Sequence, residues 1–484
     1  MATTQVIVAG AGPVGLTLAA ELRLAGAEVV VLERLAEPTG QSRALGMHTR
    51  TLEVLDQRGV FDRLGGQLGT WGHFGAISLD FGVLDSHVAG QMLIPQVRTE
   101  RVLGEWAEEL GVPVRRGHEV VGMTQDADGV EVEVAGPEGS YRLRAAYLVG
   151  CDGGRSTVRK LAGFDFPGTD ATTEYLMADV EGIDLPARFS QPLERGGISS
   201  FPLGDGVVRV LLAEWGAPPR RRTEPPAFAE VVERAARISG EDISAGTPRW
   251  VTAFGDACRQ ASEYRRGRVL LAGDAAHIHL PAGGQGLNLG VQDAVNLGWK
   301  LGAVVTGRAP EELLDTYHSE RHPVGAEVLF NTRAQSLLLN TGPEADPLRS
   351  MLARIFQMAE VNRYLTGLIS AVDIRYEVGA GEHSLLGRRM PHRVLSTEDG
   401  ETTTTRLLRT ARGVLLDLAD DAGLRAAAAG WSDRVDVVRA SSAELAGVDA
   451  VLLRPDGYVA WVAPDTGEAL DAALRRWFGA PRAH

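Results

Sequence analysis

Residues 5–34, "QVIVAGAGPVGLTLAAELRLAGAEVVVLER", open on a short apolar run and pass through Gly10, Gly12 and Gly15 at G-x-G-x-x-G spacing. Val14, Leu18, Leu22 and Ala25 then recur at helical intervals, Gly26 stops the helix, and a second apolar run, Val29 to Leu32, ends on Glu33. Strand, glycine turn, helix, strand and terminal acid in one unit predict a β-α-β fold that binds a dinucleotide. Gly10 permits the tight turn, Gly12 lets a diphosphate approach the backbone, and Gly15 lets helix and strand pack closely. The helix N-terminus offers unpaired N–H groups to the phosphates. Glu33 is placed to accept hydrogen bonds from a ribose and would repel a 2′-phosphate, which favours the adenosine of FAD or NAD over NADP at this loop.

Around this unit, 484 residues with 44% hydrophobic and 23% charged composition suit two or three globular domains. A formal net charge of −14, from 63 acidic and 49 basic residues, repels a phosphate backbone and argues against nucleic acid as a partner. Cys151 and Cys258 form no C-x-x-C pair, so neither a disulfide framework nor a thiolate metal site is expected. The strand beginning at residue 5 leaves no room for a signal peptide, and no run approaches a membrane span. The expectation is a soluble cytoplasmic protein.

Two further stretches share the grammar of the first. Residues 147–159, "YLVGCDGGRSTVR", run a strand into Asp152 and a glycine pair, followed by Ser156 and Arg159. Residues 267–290, "GRVLLAGDAAHIHLPAGGQGLNLG", end a strand on Gly273 and Asp274, then place Gly283, Gly284 and Gly286 before a helix. Exposed N–H groups there could approach a flat anionic group. The spacing is not that of a second dinucleotide fingerprint, so this loop reads as serving another part of the same ligand. By composition alone, the 147–159 stretch is equally a strand ending in a turn.

Taken in order, the three motifs resemble the class A flavoprotein monooxygenases of the para-hydroxybenzoate hydroxylase fold, and more closely their aromatic polyketide hydroxylase branch from bacterial tailoring pathways, of the angucycline and anthracycline type. The resemblance implies a Rossmann-like FAD-binding domain (1–170 and 265–385), an inserted antiparallel-sheet substrate domain (171–264) and a C-terminal thioredoxin-like domain (390–484). In that last domain the absence of cysteine excludes thiol redox chemistry. It further implies FAD contacts from Gly10, Gly12, Pro13, Val14, Gly15, Glu33 and Arg34. Arg43 would lie against the diphosphate and Gln96 against the ribityl chain. Asp152 would contact both FAD and the nicotinamide, and Asp274 would hold the ribityl chain. Gly273, Pro281, Gly284, Gly286, Leu287 and Asn288 would complete the flavin site. The implied reaction uses bound FAD, transient NADPH or NADH, and dioxygen captured as a flavin hydroperoxide, and it hydroxylates a multi-ring aromatic polyketide. Baeyer–Villiger oxygenation and a catalytically silent flavin-binding scaffold are the alternatives.

For the substrate, the aromatic residues Phe74, Phe201 and Trp215 and the segment Pro281, Ala282 and Gly283 are the candidate lining, although an aromatic in a strand is commonly core. His48, His277 and His279 are candidate acid/base groups, but a phenol activates its own ring when deprotonated, so no catalytic side chain is assigned. Residues 340–385 read as helical, with "TGPEADP" as a hinge. Beyond 390, short strands ("GVLLDLA", "VDAVLLRPDGYVAWVA") lead to a closing helix with Leu470, Ala473, Leu474, Trp477 and Phe478 on one face. The partner is a small molecule, with neither nucleic acid nor membrane; a homodimer is left open.

Overall fold

In the computed structural model, which describes residues 3–464 and 469–482, five parallel strands form the frame. From one edge they are Val114–Arg116, Val29–Glu33, Thr3–Ala9, Gly139–Gly150 and Val269–Leu271. Numbered along the chain, that is the order 3-2-1-4-5, which reverses between the first strand and the fourth. Ligands of such sheets bind at the carboxyl ends of the two strands flanking the reversal. Here those ends run into Gly10 and Cys151, and the next parallel strand runs into Gly273. All three motifs therefore converge on one edge because their strands are parallel neighbours.

The helices Pro13–Leu24 and Gln285–Val305 cover one face of this sheet together, and small residues let them approach closely. A Cβ on Gly298 would fall 2.4 Å from that of Glu21, and one on Gly290 2.6 Å from a methyl of Val14.

Between the fourth and fifth parallel strands the chain builds a five-stranded antiparallel sheet, in the order Arg188–Pro192, Gly196–Gly204, Val207–Glu214, Glu174–Glu181, Thr247–Gly255. The helix Phe228–Ser239 packs Val231, Ala235 and Ile238 on one face, against Leu176, Ala178, Val180, Val210 and Leu212. Side chains alternate along a strand, so the odd-numbered residues of Glu174–Glu181 and Val207–Glu214 point the other way, toward the parallel-sheet frame. Cys258–Gln260 then pairs back with Gly168–Thr169 and His277–Ile278.

One local expectation changes. Residues 340–385 are helical over the 3₁₀ turn Pro343–Ala345 and the helices Asp346–Phe356 and Ala359–Ser370; Ala371 turns left-handed (φ 62°), and the glycine-bearing stretch after it is irregular. Gln96 is the first residue of the helix Gln96–Glu109, because Pro95 ends the extended segment.

At the C-terminal end, Gly413–Asp417 pairs in parallel with Val435–Arg439 and antiparallel with Ala450–Leu453, which pairs with Val459–Ala463. The closing helix Leu470–Phe478 buries all five expected apolar residues.

Candidate functional site

The first loop is shaped by what a side chain would strike. A Cβ on Gly10 (φ +106°) would lie 2.4 Å from the Cys151 carbonyl oxygen, and one on Gly15 only 1.9 Å from the Gly10 carbonyl. Gly12 differs: its φ of −76° suits any residue, and nothing of the protein lies within 4 Å of an added Cβ. Neither backbone strain nor packing explains a glycine there; a ligand approaching that backbone does. Gly12 caps the helix without any side-chain acceptor and Pro13 opens it, so the first-turn N–H groups of Val14 and Gly15 are open to an anion. The Glu33 carboxylate accepts from the Ala11 N–H (2.8 Å) and the Leu35 N–H (2.9 Å), which holds it at the rim of the loop. Arg34, next in sequence, and Arg43 are exposed.

In the second loop, Asp152 spends its carboxylate locally. It accepts from the Ser156 hydroxyl and from the backbone N–H groups of Thr157 (2.6 Å) and Val158 (3.1 Å), capping the short helix Thr157–Leu161. Gln96 is also engaged, accepting from the Ala44 N–H (3.1 Å) and donating to Glu100 (2.7 Å).

The third loop combines an exposed acid with a second uncapped helix. Gly273 is left-handed (φ +61°) against Val14, and Asp274 projects to solvent. Gly283 and Gly284 are both left-handed, and Gly284 caps Gln285–Val305 with no side-chain bond. Asn288 secures this helix start: it accepts from the His48 N–H (2.8 Å) and donates to the carbonyls of Gly46 (3.0 Å) and Gly284 (2.8 Å). His277 is a support, buried and bonded to Asp293 (2.7 Å), which in turn accepts from Arg321 (2.7 Å). Pro281, Gly284, Gly286 and Leu287 keep surface open at the loop; the ring of His279 stands 3.7 Å from where a Gly286 Cβ would be. With two uncapped helix N-termini and one glycine facing open space, these residues fit an elongated, doubly anionic dinucleotide such as FAD.

Across from Leu280 and Ala282 stands the free face of the antiparallel sheet. Tyr175 and Ala213 pack with them, joined by Leu211, Trp215, Phe254 and Leu339. Tyr175 stacks on Phe254 at 5.3 Å and donates to Asn340. At the sheet's other edge Phe189 meets Phe201 (5.6 Å), His73 (4.1 Å) and Trp71 (5.2 Å), closing an aromatic bridge between the two layers. Trp215 and Ala282 thus share one cluster, whereas Phe201 belongs to the aromatic group at the other edge of the sheet. Phe74 joins neither: it is 9% exposed and packs edge-on against Phe356 among the helices, because it follows His73 in a short strand and points the opposite way. Sequence reading missed Trp71, His73, Tyr175, Phe189, Leu211 and Phe254; the alternation in "WGHF" was the available signal for the first two. A surface groove of about 570 Å³ lined by Cys258, Phe330 and Arg333 includes none of the three loops' residues.

His48 sits 1% exposed beside Gly284, with its Nδ1 3.2 Å from the Ile369 carbonyl. Burial drives its pKa down to about 4 against the pull of the Ile369 and Gly283 carbonyls, and burial and neighbouring His48 take His73 to about 3. Both rings are therefore neutral at pH 7. Above pH 6.5 folded and unfolded His48 are alike unprotonated; between pH 6.5 and 4 the unfolded chain binds a proton that the folded one refuses. Stability is therefore complete above 6.5 and falls as the pH drops to 4, by ~3 kcal/mol from His48. His48→Gln should flatten the dependence of unfolding free energy on pH across that window; an unchanged slope would assign the acid loss to other groups.

The chain matches the family described as FAD binding domain over residues 3–332 and that described as aromatic-ring hydroxylase, C-terminal, over residues 383–481. The 12-dehydrotetracycline 5-monooxygenase/anhydrotetracycline 6-monooxygenase of Streptomyces rimosus is 49% identical, over 99% of this chain and 99% of that protein. The rifampicin monooxygenase of Streptomyces venezuelae is 47% identical with the same coverage of both. Among solved structures, CabE, an aromatic hydroxylase from angucycline biosynthesis, has a TM-score of 0.97 at 56% identity, over 99% of this chain and 100% of that one.

Proposed function

Because the chain belongs to the FAD-binding aromatic-ring hydroxylases, a family of flavoprotein monooxygenases, we propose that it hydroxylates a multi-ring aromatic polyketide in a bacterial secondary-metabolite pathway, with NADPH or NADH as reductant. The observation that carries the substrate class is the apolar, aromatic sheet face set against Leu280 and Ala282. The relatives' printed names give a dehydrotetracycline, an anhydrotetracycline and rifampicin as their substrates.

Bound FAD supplies the oxygen-transfer chemistry. The Gly10–Gly15 turn and the N-terminus of Pro13–Leu24 would hold its diphosphate, Glu33 its ribose, and Asp274 its ribityl chain. The uncapped start of Gln285–Val305 offers a positive dipole end to a polar ring edge and so favours negative charge there. Leu280, Ala282, Tyr175, Leu211 and Phe254 exclude water and orient a flat ring system. Neutral His48, at the same helix start, can hold one proton at a ring nitrogen. In this reading residues 1–170 and 265–385 bind FAD and 171–264 bind substrate. Residues 390–484 form a thioredoxin-like appendage that serves packing, since Cys151 and Cys258 both lie outside it. Among the described residues no helix is long and apolar enough to cross a membrane, which suits a cytoplasmic setting.

The test is nicotinamide oxidation by the FAD-loaded protein with a panel of multi-ring phenolic aglycones under ¹⁸O₂. Ligand-stimulated oxidation and a product carrying one ¹⁸O are expected, on an unchanged carbon skeleton. A ring-expanded lactone would instead establish Baeyer–Villiger oxygenation. Bound flavin that no aglycone causes to be reduced faster would sink the enzymatic reading in favour of a scaffold.

A further inference from the structure

Three cross-strand neighbours on the face of the antiparallel sheet turned to the parallel-sheet frame are joined by side-chain hydrogen bonds. Asp179 pairs in register with Arg209 on one side and Trp250 on the other. Arg209 is 3% and Asp179 5% exposed. The guanidinium grips the carboxylate with two bonds, Nε to Oδ1 at 2.7 Å and Nη2 to Oδ2 at 2.9 Å, and the Trp250 indole donates to Oδ2 at 2.8 Å. The ion pair alone gives no reason for a buried charge here, since well-packed apolar residues often serve stability as well.

The remaining donors of Arg209 leave the sheet. Nη2 donates to the Ser42 carbonyl and Nη1 to that of Arg43 (3.5 Å), two consecutive residues of a loop without regular structure in the parallel-sheet frame. From the opposite side, the Ser42 hydroxyl accepts from the Val97 N–H (3.3 Å), and the Ala44 N–H donates to Gln96 (3.1 Å). The backbone of residues 42–44 is thus fixed by two separate elements. The Arg43 side chain is left pointing to solvent with no carboxylate partner among the described residues. Fixing three residues costs conformational entropy, on the order of 1–2 kcal/mol each. The group that gains from it is the Arg43 guanidinium, a planar fork suited to phosphate oxygens.

We infer that Asp179, Arg209 and Trp250 form a positioning triad through which the substrate-facing sheet holds the 42–44 loop and presents Arg43 to the diphosphate of a dinucleotide. The inference rests on the FAD reading above. FAD and the nicotinamide nucleotide share the diphosphate chemistry, and separate measurements distinguish them.

A double-mutant cycle tests the triad, using Arg43→Gln, Arg209→Gln and the pair in the full chain. FAD affinity is read by quenching of flavin fluorescence on titration of flavin-free protein, and the nicotinamide arm by KM against kcat for NADPH at saturating FAD. Arg43→Gln should weaken one of the two nucleotides by about 10- to 100-fold. Arg209→Gln should weaken the same nucleotide by about 3- to 30-fold, and by nothing further in the Arg43→Gln background. Whichever arm moves identifies the diphosphate. Unchanged affinity for both, or an equal Arg209→Gln loss with and without Arg43, overturns the inference. If Arg209→Gln does not fold, Trp250→Phe, which keeps the ion pair, is run through the same cycle under the same criterion. Wild-type protein that takes up no FAD would overturn the cofactor reading instead, before the cycle begins.

Discussion

Arg454→Ala is expected to lower the unfolding free energy by about 3–5 kcal/mol, the range for removing one partner of a buried ion pair. Arg454 comes from the turn after Ala450–Leu453 and is fully buried against Gln285–Val305 and Asp315–Leu339 of the frame. Its guanidinium reaches both oxygens of Glu320 (2.5 and 2.9 Å) and both of Asp456 (3.0 and 2.5 Å), and it lies 4.5 Å above the Trp477 ring. Lys300 donates to Glu320 (2.8 Å) and the Trp299 indole to Asp456 (3.1 Å), so two cations face two carboxylates. Burial alone would raise the pKa of Glu320; Arg454 and then Lys300 override it and hold it at about 2, while burial takes Lys300 down to about 8. Removing Arg454 takes the doubly bonded cation from two dry carboxylates, leaving Lys300 at Glu320 and, near Asp456, Arg50, which bonds only its backbone carbonyl. Chemical denaturation followed by tryptophan fluorescence reads the loss directly, since Trp299 and Trp477 flank the cluster. A loss below about 1 kcal/mol would mean that water enters and the network is not dry. Asn296, Trp299 and Lys300 lie on the helix that begins at Gln285, so FAD retention should fall with stability.

What the sequence made legible follows from chain locality. The glycine turn, its helix and Glu33 lie in one unbroken stretch whose periodicity switches twice, from strand to helix and back, and Gln285–Val305 likewise announces itself by glycines followed by spaced apolar residues. The meeting of the three loops was also inferable, because parallel strands put their carboxyl ends on one edge. The sheet face was not. "EYLMADVE" and "VVRVLLAE" are buried on both sides, one against a helix and one toward the cavity, so apolar residues occupy odd and even positions and the alternation that would mark a face disappears. Phe74 was misplaced for a different reason: in a four-residue strand only register separates it from His73. The Arg209 contact with residues 42 and 43 spans more than 160 positions, and no local pattern encodes it.

The second large effect separates two glycines three positions apart. Alanine at Gly15, inside a helix, would ordinarily gain about 1 kcal/mol from propensity. Here the added methyl would meet the Gly10 carbonyl at 1.9 Å and the Cys151 Cβ at 3.3 Å, so helix and strand must part, at a cost of about 1–3 kcal/mol in the flavin-free protein. Alanine at Gly12 meets no protein atom and keeps an ordinary φ, so the flavin-free protein should unfold within about 1 kcal/mol of wild type, the residue being a poorer helix cap. Its methyl occupies the space a diphosphate would need to reach the backbone, and FAD affinity should drop by at least about 100-fold, or roughly 3 kcal/mol. Titration of the two flavin-free variants with FAD, alongside their denaturation curves, checks both halves at once. Gly12→Ala protein that is stable and colourless assigns that opening to the cofactor. A Gly12→Ala protein that binds FAD as tightly as wild type would place the diphosphate elsewhere and undo the assignment of the loop.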